Sequence, residues 1–352
     1  MKEIKKTTWR SPSNIALVKY WGKKPGIQIP ANPSISFTLD QCYSETSVSL
    51  LEKENKKSKD LEMRFYFDGK ANMAFQLKMF KFFESIQKDF PLLKQYGLLI
   101  HSTNSFPHSS GIASSASAMS ALSMCLCDLQ QQLDGKKVSD EKFLQKASVY
   151  ARLGSGSAAR SVYPLIAQWG KSPSVKGSSD EYAIPYEKNL HPTFKTFQNT
   201  ILIASSAEKK VSSRVGHSLM KTNPFAKTRY AQAEKNLKDI LGALKTGDLE
   251  KFGAIVEEEA MTLHALMMCS SPSFILMATS TLKMIEKIRQ FREESKLPVY
   301  YTLDAGPNIH LLYPKNIAKK VDKFIYSELE KHCEGGKMIH DNVGKGPKKV
   351  KG

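Results

Sequence analysis

The sequence predicts an α+β fold, and three observations carry that prediction. Residues 34–51, SISFTLDQCYSETSVSLL, alternate apolar and polar side chains as strands do. Residues 228–246 and 248–268 repeat apolar side chains at helical spacing. Segments of the two kinds follow one another in mixed order, without the strict strand–helix alternation of a doubly wound sheet. A chain of 352 residues, 41% hydrophobic and 24% charged, has the make-up of a globular protein of one large domain or two intimate ones.

Along the chain, NIALVKYWGK (14–23) places Lys19 and Lys23 four apart among Ile15, Leu17 and Trp21; taken alone it reads as an edge strand with exposed lysines. The strands of 34–51 lead into a charged loop, EKENKKSKD (52–60), and then a strand, MRFYFDG (63–69), that ends in a turn. Asn72 is placed to cap an amphipathic helix carrying Phe75, Met79, Phe82 and Phe83 on one face. YGLLIHSTNSFP (96–107) is a strand running into SFPHSSGIASSASAMSALSMCLCDL (105–129), where Ala118, Met119, Leu122, Leu126 and Leu129 make a core stripe. A helix over about 140–152 precedes GSGSAARS (154–161). A polar stretch with two prolines, between 180 and 200, suggests a soft boundary. Beyond it come a buried strand at 201–206, helices over 228–246, 248–268 and 279–294 (the last with Leu282, Ile285 and Phe291), two short strands around a turn in PVYYTLDAGPNIHLLYP (298–314), and a final helix with Ile317, Val321, Phe324 and Leu329. The expected division is 1–190, 191–335 and a basic tail, 336–352, without order.

Composition narrows the function. No run of eighteen apolar residues is present, so no membrane span is expected. The N-terminal MKEIKKTTWRSPSN lacks an apolar core behind its basic residues, which predicts the cytoplasm rather than export. Cys42, Cys125, Cys127, Cys269 and Cys333 have neither disulfide nor zinc spacing and read as buried free thiols. The formal charge of +18 is spread over the chain, and its basic runs lack interleaved aromatics, so small phosphorylated anions fit better than nucleic acid.

The serine-rich stretch has two readings. Small residues let helices pack closely. Alternatively, Ser109, Ser110, Gly111, Ser114, Ser115 and Ser117 surround a helix start, whose free N–H groups and partial positive charge attract phosphate. No Walker lysine follows. Arg160 in GSGSAARS offers a fork for a carboxylate or phosphate. Asp304 in DAGPN ends an apolar strand at what is, by itself, a plain turn.

Together NIALVKYWGK, FPHSSGIASSASA, GSGSAARS, KKVSSRVGH and DAGPN, in this order from about residue 9 to 330, resemble the GHMP superfamily of small-molecule kinases. More narrowly, KYWGK with GSGSAAR and DAGPN is similar to the diphosphomevalonate decarboxylases. That resemblance implies a two-lobed GHMP-kinase-like fold, with a ribosomal-S5-domain-2-like N-terminal lobe and a ferredoxin-like C-terminal lobe around a cleft. It implies ATP and Mg2+ acting on a small anionic substrate, with no nucleic acid and no membrane, in a homodimer. Pro107, Ser110, Gly111, Ala113, Ser114 and Ser115 would hold ATP, the last two nearest the phosphoryl groups and magnesium. Tyr20, Lys23, Ser155, Ser157, Arg160, Ser212 and Ser213 would hold the substrate. Asp304, Lys19 and Arg160 would carry the chemistry. A monophosphate decarboxylase, a mevalonate-kinase-type enzyme and a non-catalytic binding protein are the other readings. His108 and His217 depart from the family pattern. His108 reads as a loop-surface residue, and His217 either touches the substrate or fills the space of a methionine. The other six histidines form no cluster.

Overall fold

The computed structural model describes residues 2–55, 58–107, 112–207 and 213–351, apart from the side chains of Ser213 and Arg214. Strands β1 (Glu3–Val18) and β2 (Ser34–Leu51) pair antiparallel over most of their length. β3 (Met63–Phe67) turns at Asp68 and Gly69, both at positive φ, into β4 (Lys70–Ala71). Helix α1 (Met73–Ile86) starts where the Asn72 side chain accepts from the Phe75 N–H. A single turn, α2 (Leu92–Gln95), leads to β5 (Gly97–Asn104). Two long helices follow, α3 (Ser114–Asp134) and α4 (Asp140–Gly154), and then a 3₁₀ turn over Gly156–Val162. β6 (Ile166–Trp169) and β7 (Ala183–Pro185) close this half.

The second half begins with α5 (Pro192–Lys195) and β8 (Gln198–Leu202). It continues through α6 (Ser213–Leu219), α7 (Ala226–Thr246), α8 (Leu249–Met268) and α9 (Thr279–Ser295). The hairpin β9 (Tyr300–Leu303) and β10 (Ile309–Tyr313), helix α10 (Ala318–Phe324), β11 (Met338–Asn342) and β12 (Lys348–Val350) complete it.

The fold is α+β, as the mixed order predicts, with two sheets in two lobes. The larger sheet runs β12-β1-β2-β5-β3-β4, and β6 joins the first residues of β2 and carries β7. The smaller runs β11-β8-β10-β9, antiparallel throughout. One core packs Phe82, Phe83, Ile86 and Phe90 against Leu122, Leu126 and Leu129 of α3. A second joins the lobes through Phe37, Phe194, Phe197 and Phe252, whose rings lie 4.9 to 6.4 Å apart. A third lies beneath the smaller sheet, with Met284, Ile288, Leu311 and Phe324.

Four expectations need correction. The segment 14–18 ends β1 with every residue buried, and Lys19 beyond it is only 2% exposed, so it is no edge strand with free lysines. The basic tail is ordered: β11 pairs with β8, and β12 pairs with Thr8, Trp9 and Arg10 of β1. Its lysines hid the strand pattern because a short edge strand tolerates them, as β12 does. Asp341 within the tail accepts from the backbone N–H groups of Asp40, Gln41 and Cys42 at 2.8–2.9 Å. Leu282, assigned to the core face of α9, is exposed, and Thr281, Met284, Ile285 and Ile288 are the buried residues there. Of the five free cysteines, Cys269 is exposed.

Candidate active site

Lys19 is the first residue beyond β1. Its ammonium donates to the Ala16 carbonyl at 2.7 Å and to Asp304 Oδ1 at 3.0 Å. Burial pulls the pKa of this ammonium down, and the Asp304 carboxylate partly restores it. Asp304 itself is carried to the cleft at the end of β9, and its carbonyl accepts from His264 Nε2 of α8 at 3.2 Å. Two residues 285 positions apart thus meet because β1 and β9 end at the same cleft.

The backbone of Lys19 is held as closely as its side chain. Glu259 Oε2 accepts from the Lys19 N–H at 2.8 Å, while Asn32 Nδ2 and Arg229 Nη2 donate to the Lys19 carbonyl at 2.9 and 3.1 Å. Arg229 and Glu259 form a two-pronged ion pair at 2.5 and 2.7 Å, and Asn236 donates to Glu259 at 2.8 Å. Glu259 is fully buried. None of these partners was legible from motifs. The available signal was charge on the core faces of α7 and α8, where an unpaired buried ion is too costly to keep.

Arg160 lies in the 3₁₀ turn and is 2% exposed. Its guanidinium donates to Ser36 Oγ, Ser34 Oγ and Asn14 Oδ1 at 2.9, 2.5 and 3.3 Å, and sits 5.9 Å from the centroid of the Trp169 ring. Burial lowers its pKa to about 10, with Asp304 opposing, so it stays cationic at neutral pH. These hydrogen-bond partners are all neutral, so the charge is oriented by the protein but not quenched by them. Asn14 also donates to the Ser157 carbonyl at 3.2 Å and to Ser161 Oγ at 2.7 Å, which ties β1 to the turn. Gly156 has no room for a side chain, since a Cβ would come within 2.9 Å of the Tyr20 and Trp169 rings.

Lys19, Tyr20, Lys23, Ser155, Ser157, Arg160 and Asp304 all line one cavity of about 240 Å³. Three cations face one carboxylate there, a balance suited to an anionic ligand. The Tyr20 hydroxyl is buried and has no hydrogen-bond partner among the described residues. Ser155 Oγ and Ser115 Oγ lie 3.2 Å apart and join this cavity to the start of α3. There Ala113 adopts a left-handed conformation (φ 45°), and Ser114 and Ser115 form the first turn. Ser115 also lines a second cavity of about 510 Å³, apolar on the side of Phe65, Phe67, Phe75, Met79 and Phe82. The half-buried Phe75 and Met79 of α1 thus pack against the core on one side and line this cavity on the other.

Pro107 is exposed and lines neither cavity. Ser110, Gly111 and Ser212, with His108, lie outside the described residues, as does the side chain of Ser213. Ser117 is fully buried and bonds Ser44 Oγ at 2.7 Å, so its role is structural. His264, which sequence spacing tied to nothing, abuts Asp304, and buried His310 bonds the Asn199 side chain on the smaller sheet. Among the described residues no group of three or more His, Cys, Asp and Glu side chains is placed to hold a metal.

Comparison with known proteins matches both halves of the chain. Residues 11–183 match the diphosphomevalonate decarboxylase-like N-terminal domain, and residues 199–349 the mevalonate 5-diphosphate decarboxylase C-terminal domain. The chain is 29% identical over 332 residues to diphosphomevalonate decarboxylase of Debaryomyces hansenii, covering 91% of this chain and 82% of that one. Mevalonate diphosphate decarboxylase from Staphylococcus aureus superposes with a TM-score of 0.83 at 29% identity, over 99% of this chain and 98% of the other. A solved complex of MDDEF with MVAPP, AMPPCP and magnesium gives 0.83 at 28% identity over 99% of each chain. Since two domain families of one kind account for both lobes that enclose the cleft, the chain belongs to the diphosphomevalonate decarboxylases of the GHMP kinase superfamily.

Proposed function

We propose that this chain decarboxylates diphosphomevalonate with ATP, releasing isopentenyl diphosphate, carbon dioxide, ADP and phosphate. The observation that carries the reading is the pair of buried Lys19 and half-buried Asp304, 3.0 Å apart, in a cavity that Arg160 also lines. The relative solved with MVAPP, AMPPCP and magnesium supports the same substrates here.

In this reading Asp304 orients the tertiary hydroxyl and accepts its proton as the oxygen attacks the γ-phosphorus of ATP. Lys19 offsets charge beside the transferring phosphoryl and holds Asp304 Oδ1 at 3.0 Å. The phosphorylated oxygen then leaves as phosphate. Positive charge builds at the tertiary carbon, the carbon–carboxylate bond breaks, and its electron pair becomes the new double bond as carbon dioxide departs. Arg160, Ser155 and Ser157 hold the substrate's carboxylate and diphosphate end, with Tyr20 and Lys23 on the diphosphate. Ser212 and Ser213 complete that subsite.

Ser114, Ser115 and Ala113 at the start of α3, with Ser110 and Gly111, cradle the ATP phosphates. The apolar cavity that shares Ser115 takes the adenine. The residues present fit magnesium, which needs few protein ligands when phosphates and water supply the rest; the Ser114 and Ser115 hydroxyls in the first turn of α3 would help hold it. Bound there, it neutralises phosphate charge during transfer. The enzyme is a cytoplasmic homodimer, a state that sedimentation of the purified protein checks. Among the described residues no helix is long and apolar enough to cross a membrane.

The test offers purified protein ATP and magnesium with mevalonate, its monophosphate or its diphosphate, and records ADP. Turnover with the diphosphate alone is expected. Turnover with only one of the other two, or with none, contradicts the assignment.

A further inference from the structure

We infer that His217 is a binding residue for the substrate's diphosphate, donating Nε2–H into the cleft. The inference rests on the diphosphomevalonate reading above. Helix α6 is pressed against Trp21 at Gly216, where a Cβ would come within 2.5 Å of the indole. That approach puts the next residue, His217, against two rings, with centroids 4.2 Å from Tyr20 and 4.7 Å from Trp21. Its Nδ1 accepts the Gly22 N–H at 3.0 Å. A nitrogen that accepts carries no proton, so in the neutral ring the proton sits on Nε2.

The ring is neutral. Burial, and behind it the Lys23 charge, lowers the His217 pKa to about 3. Among the described residues nothing accepts from Nε2, and His217 lines the cleft cavity. Tyr20 and Lys23 line the same cavity, and the Tyr20 hydroxyl likewise has no partner among the described residues. A neutral donor locked between two rings adds direction without adding to the three cations already present. The packing also means that little side-chain freedom is lost on binding.

The amide substitutions separate a binding role from a packing role. In His217→Asn the side-chain amide reaches the position of Nδ1 and keeps the Gly22 contact, but no donor reaches the position of Nε2. In His217→Gln the amide reaches the position of Nε2 and restores the donor. With diphosphomevalonate and saturating ATP, His217→Asn is expected to raise KM about tenfold, the scale of one lost hydrogen bond to a charged group, with kcat within about twofold. His217→Gln is expected to stay within about threefold of wild type in KM. Calorimetry with inorganic pyrophosphate should give the same order of affinities without turnover. A wild-type enzyme that turns over diphosphomevalonate, beside a His217→Asn variant with unchanged KM and pyrophosphate affinity, would overturn the inference and leave the function standing. Equal losses in the two variants would also overturn it, by making the role structural. A wild-type protein silent with diphosphomevalonate would instead overturn the functional reading, and the calorimetric order would then decide the His217 contact alone.

Discussion

At the scale of single residues, the site keeps charges in conflict with their surroundings. Lys19 is almost fully buried and Asp304 is its carboxylate partner. Removing the charge on Asp304 takes away the group assigned to receive the proton and leaves the substrate's anionic contacts in place. Asp304→Asn is expected to lower kcat by about two orders of magnitude or more, the usual range for a general base, with little change in KM. Steady-state kinetics check this, and near-normal kcat would refute the role. The buried histidines give a second expectation. Burial lowers the pKa of His217 to about 3 and of His310 to about 4, the latter with Asp304 opposing and Lys19 assisting. In the unfolded chain both rings titrate near their ordinary value of about 6.5. Between those limits the unfolded state binds more protons, so stability rises with pH and falls as the solution is acidified below about 6.5. Urea midpoints at pH 7 and pH 5.5 should show the decline, and His310→Gln should reduce it. An equal decline in the variant would contradict the assignment.

At the scale of elements, helices α7 and α8 turn the end of β1 into a fixed platform. Arg229 and Glu259 bond each other and both polar groups of the Lys19 backbone, and His264, five residues after Glu259, holds the Asp304 carbonyl. One helix therefore helps set both halves of the reactive pair. Breaking a buried ion pair on one side costs about 3–5 kcal/mol because the other charge stays behind. Glu259→Ala is expected to lose stability on that scale in urea unfolding, and a loss below about 1 kcal/mol would show that the pair does not hold Lys19 in place. This platform also shows where sequence reasoning stopped. KYWGK, GSGSAAR and DAGPN were legible because polar residues interrupt apolar runs at points where a strand or helix ends. Arg229 and Glu259 lie within helices whose apolar periodicity identified them as core, and a helical pattern does not say which charged residue turns inward. The second cavity escaped for a related reason, since Phe75 and Met79 line an opening with the same side chains that would fill a core.

At the scale of the molecule, the chain's two ends meet, with β12 beside β1 and β11 completing the smaller sheet. Lysine-rich composition concealed this, because the pairing depends on backbone groups and on Asp341, which accepts from three N–H groups of β2, at residues 40–42 where its register with β1 shifts. A chain ending at Lys337 loses both strands, leaves the β8 edge bare and strands those N–H groups. It is expected to lack a cooperative urea transition, and a wild-type midpoint would contradict that placement. The net charge of +18 is spread over the chain, and three of its cations, Lys19, Lys23 and Arg160, line the cleft cavity with Asp304. That cleft commits the molecule to one overall reaction, in which phosphoryl transfer and loss of the carboxylate are coupled. The direct measurement is the ratio of carbon dioxide to ADP released from carboxyl-labelled diphosphomevalonate by the wild-type enzyme with ATP and magnesium. The mechanism requires a ratio of about one at every time point. ADP without carbon dioxide would make the protein a kinase and contradict the account.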